Sequence, residues 1–170
     1  MTLARRKVVS YVATVLAKNA DTWTAHEVDL DDAEDIDGVV DVIRSVDEGA
    51  DTAVLFVDEE DEYLAIVRVD EEDDEPRVFV SDGHAIDSFE LPALLLDGVT
   101  LEGADDEDDD DAPSGHDSDP VGDSALLADL GTSADMLVRL CNAESALPGD
   151  VVVSIAERAG FLDELEAVRA

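Results

Sequence analysis

Cysteine is almost missing from this chain: Cys141 stands alone, so no internal disulfide forms and no thiolate cluster can grip a metal. A reducing, cytoplasmic setting fits that usage. Basic residues are scarce, ten Lys+Arg against 46 Asp+Glu, which leaves a formal net charge of −36. Such a surface repels phosphate backbones and anionic membrane surfaces. Direct nucleic-acid or membrane binding is therefore not expected. Long apolar runs are also lacking, and nothing approaches the roughly 20 residues that span a bilayer. The positive Arg5-Arg6-Lys7 followed by Val8–Leu16 superficially resembles a signal peptide. Ser10, Tyr11 and Thr14 interrupt it, and a β-strand explains it better.

Catalytic motifs are missing too. There is no GxSxG, no phosphate-binding P-loop and no GxGxxG after a strand. His26, His84 and His116 are isolated, with no HxxxH or HExxH spacing. An EF-hand needs oxygen ligands at fixed offsets from a turn glycine. Placing Gly38 there puts Ala33 first and Arg44 twelfth; placing Gly122 there puts Val121 and Ala128 where oxygens are required. Both registers fail. Paired carboxylates occur everywhere, so no single pair marks a glycosidase-like site. No catalytic residue, metal ligand or cofactor-binding residue is assigned, and the chain is expected not to be an enzyme.

What is present is a normal share of core-forming residues, 45% of 170. A packed core is affordable despite the charge. Composition divides the chain into a seven-residue N-terminal extension (1–7), an α+β domain (8–103), an acidic linker (104–120) and a small helical C-terminal domain (121–170). The linker carries nine acids and no base. Self-repulsion and the lack of large apolar groups predict disorder there. Its run Asp105, Asp106, Glu107, Asp108, Asp109, Asp110 and Asp111 is the candidate protein-interaction segment. Diffuse attraction of divalent cations is all that such a flexible polyanion offers.

The α+β region reads as an antiparallel sheet of about five strands with one main helix. Val8–Ala17 and Trp23–Leu30 flank a turn at Lys18-Asn19-Ala20-Asp21. Leu30-Asp31-Asp32 opens an amphipathic helix with an Asp cap. Ile36, Val39, Val40, Ile43 and Val46 form its apolar face, and Gly49 ends it. Thr52–Asp58, Tyr63–Asp70 and Arg77–Ser81 follow as strands joined by acidic turns. Alternation in the second puts Tyr63, Ala65, Val67 and Val69 on one side and Leu64, Ile66 and Arg68 on the other. Both sides are largely apolar. One takes the helix; the other awaits the C-terminal helices or a partner. Trp23, Phe56, Tyr63 and Phe79 read as core rather than as a ligand platform. Residues 84–98 suggest a short helix with Pro92 near its first turn.

After the linker, Asp123–Leu130 reads as a helix stopped by Gly131. Thr132/Ser133 caps a second with Met136, Leu137, Leu140 and Cys141 on its face. Pro148 starts a third that stops at Gly160. Phe161, Leu162, Leu165 and Val168 mark a short fourth. Cys141 reads as a core thiol.

Trp23–Asp32, Asp61–Val69, Arg77–Asp82, Gly122–Gly131 and Ile155–Gly160, in that order around an acidic linker, resemble the actinobacterial tRNA adenosine deaminase-associated proteins. The likeness covers residues 8–170. It implies an accessory protein linked to the enzyme that makes wobble inosine in tRNA. The expected partner is that deaminase or another basic protein, met by protein–protein contact. The chain is not the deaminase itself: zinc deaminases hold their metal with HxE and PCxxC, and neither occurs here. The alternative reading is an independent soluble interaction module whose acidity serves only solubility.

Overall fold

The computed structural model describes residues 11–30, 32–59, 63–72, 75–81, 90–96, 120–142 and 147–169. The expected segment Asp105–Asp111 and residues 1–7 lie outside them. β1 (Val12–Asn19), β2 (Thr22–Glu27), β3 (Thr52–Glu59), β4 (Tyr63–Asp70), β5 (Arg77–Val80) and β6 (Val121–Gly122) form one antiparallel sheet in the order β2-β1-β3-β4-β5-β6. The α+β class is as read from the pattern, but among the described residues the sheet has six strands, not about five. β6 escaped because two residues show no alternation. It pairs Phe79 with Gly122 and Val80 with Val121, and the Asp123 amide continues it with a 2.8 Å bond to the Val78 carbonyl.

Asn19 pairs with Thr22 across a two-residue turn, so the β1–β2 hairpin is tighter than the four-residue turn expected. Ala20 takes φ +61° there, a left-handed conformation unusual for a residue with a Cβ. Its amide donates to Asp51 Oδ2 at 3.2 Å, one compensation for that geometry.

α1 (Ile36–Val46) links β2 to β3. Its cap is Asp35, whose Oδ1 accepts from the Gly38 amide at 2.9 Å, rather than an Asp at 31–32. The helix starts later because buried Leu30 is already committed. Its amide donates to the Tyr11 hydroxyl at 3.3 Å and its carbonyl accepts from Ala33 at 3.1 Å, closing a turn before the helix. Val39 and Ile43 are fully buried, with Ile36, Val40 and Val46 packed around them, as the spacing predicted.

Strict two-residue alternation divides the core into two layers. Ala13, Val15, Leu55, Val57, Tyr63, Ala65, Val67, Val78 and Val80 face α1 and α2 (Glu90–Leu96), which contributes buried Leu95. Leu16, Trp23, Val54, Phe56, Leu64, Ile66 and Phe79 face the opposite way. The C-terminal segment covers this second side. Leu126 and Leu127, then Leu137 of α3 (Ala134–Asn142), Val152 and Ile155 of α4 (Pro148–Ala159), Phe161, and Leu165 of α5 (Leu162–Arg169) are all buried there. Residues 124–130 form turns and a 3-10 turn at Ala128–Leu130 rather than the expected α-helix. Gly131 and Gly160 stop their elements with φ +105° and +92°, where glycine is favoured. Ser133 Oγ accepts from the Met136 amide at 3.2 Å, the expected cap of α3.

Candidate interaction surface

A charged residue inside a buried strand needs partners, and Arg68 on β4 has them. Only 6% of its side chain is exposed. Nη1 donates to the Leu126 carbonyl at 2.7 Å and to Asp129 Oδ1 at 2.6 Å; Nη2 donates to Asp129 Oδ2 at 2.9 Å. Nε donates to Asp70 Oδ1 at 3.0 Å, an atom that also accepts from Thr52 Oγ1 at 2.9 Å. The two-toothed bond to Asp129 raises the basicity of Arg68 and holds the Asp129 carboxyl below the usual carboxylate range. One strand over, Arg77 Nε donates to Asp123 Oδ2 at 2.9 Å and Nη2 to the Ala125 carbonyl at 3.4 Å. These two arginines fasten residues 123–129 to the sheet. Two of the ten basic side chains are thereby engaged internally, which leaves still less positive surface for a phosphate backbone. The clamp was missed from sequence, although one signal existed: an arginine in the middle of the apolar run Tyr63–Val69.

Where α1 ends beside the start of β3 and the end of β4, an open groove of about 470 Å³ forms. Asp41, Asp47, Glu48, Asp70 and Glu71 rim it with Arg44 among them, while Ala53 and Val69 supply apolar lining. Asp47 Oδ1 accepts from the Gly49 amide at 3.1 Å and Asp70 is committed to Arg68. A second groove, about 230 Å³, lies at the open end of the β1–β2 hairpin and includes Tyr11, Glu27 and Asp29. Both are solvent-open troughs with acidic walls, chemically suited to a basic side chain.

The residues weighed for chemistry disperse. Gly38 lies inside α1 and Gly122 in β6, so neither heads a calcium loop. His26 sits on β2, its Nε2 3.2 Å from Thr24 Oγ1; His84 and His116 lie outside the described residues. Among the described residues no three His, Cys, Asp or Glu side chains gather as a metal would need. Trp23, Phe56, Tyr63 and Phe79 are core, and Trp23 packs 4.8 Å from Phe161. Burial raises the Tyr63 phenol well above its ordinary range, with neighbouring Glu59 adding to the effect. Cys141 is half-buried against the second core layer rather than fully enclosed, and burial pushes its thiol up to about 12. That thiol is a poor nucleophile.

The large apolar side chains exposed among the described residues are Val12, Leu147 and Val153. Both sheet faces are covered by packed side chains, and carboxylates far outnumber basic groups along the chain. Fold and surface thus define a class: an acidic α+β protein with a two-layered core and a polyanionic exterior. The family model described as Rv3753c-like tRNA adenosine deaminase-associated protein matches residues 10–162, and the chain belongs to that family. Comparison with the curated proteins and with the solved structures gave no match. No helix among the described residues is long and apolar enough to cross a membrane.

Proposed function

We propose that this protein is a non-catalytic accessory factor that associates with tRNA adenosine deaminase through direct protein contact. The net charge of −36 is the observation that carries the reading. An enzyme that binds tRNA must present positive surface, and a polyanion is steered to it electrostatically. The family's name points to the same partner. Coverage of both sheet faces by the protein's own helices supports polar contact over burial of a sheet face. In this role the protein keeps the deaminase soluble or competes with tRNA for its basic face.

The test is capture of purified deaminase by this protein at low and at high salt. A complex at about 50 mM salt that weakens steeply by about 500 mM is expected, since screening shortens the reach of exposed charges. No complex at low salt would sink the proposal and favour an independent module whose acidity serves solubility alone.

A further inference from the structure

β2 ends the sheet opposite β6, and α5 packs against its Trp23 face. The Val28 amide donates to the Ala13 carbonyl at 3.0 Å, and Thr14 pairs with Glu27 next to it. Antiparallel alternation then points the backbone groups of Thr22, Thr24, His26 and Val28 at β1. Those of Trp23, Ala25 and Glu27 point outward, and no described residue bonds to them. Natural edges are usually blunted by proline, a bulge or lysine, kept very short, or covered by a helix or loop. β6 at the opposite edge is two residues long, whereas Thr22–Glu27 runs for six without proline. The strand is also firmly seated: Trp23 lies against Phe161 on one side, with Lys18 Nζ 5.7 Å from its ring.

We propose that the edge Trp23–Glu27 takes an extended, lysine- or arginine-bearing segment of a protein partner as an added strand. Charge selects this occupant. Asp21, Glu27 and Asp29 flank the edge, and the trough at the hairpin's open end brings Glu27 and Asp29 together. A second copy, itself at −36, is repelled. Main-chain bonds provide affinity and alternate side chains reach the acids. The inference rests on the reading that this protein works by protein contact, and locates that contact.

The probe is a short synthetic peptide alternating lysine with valine. Its controls are the same peptide N-methylated on the pairing amides, and one with glutamate for lysine. Amide exchange is read residue by residue in the full-length protein at low salt. Protection of Trp23, Ala25 and Glu27 by about tenfold is expected with the lysine peptide and with neither control. Ala25→Pro removes an outward amide while sparing every β1 bond, so it is expected to abolish protection with Trp23 emission unchanged. Should that variant unfold, the N-methylated peptide still decides. Equal protection by the N-methylated peptide, amides already protected in the free protein, or a dimer through β2 would each overturn the proposal. Capture of deaminase by wild type and A25P alike would remove the edge as the contact while leaving the accessory role intact. Peptide protection without deaminase capture would do the reverse.

Discussion

Uncoupling Arg68 from Asp129 is the sharpest perturbation of this architecture. Arg68→Met keeps the aliphatic stem but deletes the four bonds to Asp70, Leu126 and Asp129. The Leu126 carbonyl then loses its donor beneath a fully buried residue, costing about 1–3 kcal/mol. Asp129 adds little, because 65% of its side chain is exposed and rehydrates. Asp129→Ala instead strands a guanidinium that is 6% exposed with Asp70 and one carbonyl. An uncompensated buried charge costs about 3–5 kcal/mol; the remaining partners and nearby solvent reduce this to roughly 1.5–3 kcal/mol. The double variant leaves no stranded cation, so it should cost no more than R68M alone, a coupling equal to the whole D129A cost, roughly 1.5–3 kcal/mol. Urea titration followed by Trp23 emission suits the measurement. The chain has one tryptophan, and it contacts Phe161 of the docked C-terminal segment. Additivity within about 0.3 kcal/mol would refute the clamp. The pH dependence has a definite sign. Because Arg68 holds the Asp129 carboxyl low, its contribution is full above the unfolded pKa and fades as pH falls through the folded one. The gap between wild type and D129A should be flat from about pH 7 to 5 and narrow only below about pH 4.

Three further outcomes follow from the same physics. Gly122→Ala would place a Cβ 2.3 Å from the Val78 carbonyl oxygen at φ +106°; a loss of at least about 2 kcal/mol, seen by urea unfolding, is expected. At pH 8 the Cys141 thiol, pushed up to about 12, is scarcely ionised, so iodoacetamide should label it at least about a hundredfold more slowly in the folded protein than in urea. Raising NaCl from about 20 to 500 mM should raise the melting temperature, because screening relieves the repulsion of a −36 chain. A falling Tm would mean that surface ion pairs outweigh that repulsion.

Much of this molecule was readable in its residues because period and punctuation are local. Alternation in Tyr63–Val69 assigned each side chain to the layer it occupies, Arg68 included. Gly131, Pro148 and Gly160 marked helix ends through backbone constraints that act within a few residues. Errors came where a distant contact intervened. The Leu30–Tyr11 bond delayed α1 to its Asp35 cap. Arg68 and Arg77 drew residues 123–130 onto the sheet as turns, although their composition suits an α-helix. The acidic candidates Asp105–Asp111 fall outside the described residues, so the grooves and the β2 edge emerged from the fold alone.

By itself, the sequence determined the charge, the α+β class and the two apolar sides of the sheet, since each depends on residue type and on spacing along the chain. Only the tertiary structure decided which layer covers which side, that the strand after the acidic segment joins the sheet, and which edge carries no further strand among the described residues. Those outcomes depend on pairings between residues dozens of positions apart, such as Arg68 with Asp129 and Phe79 with Gly122. No local pattern encodes such pairings, because their energy appears only once the chain has closed on itself.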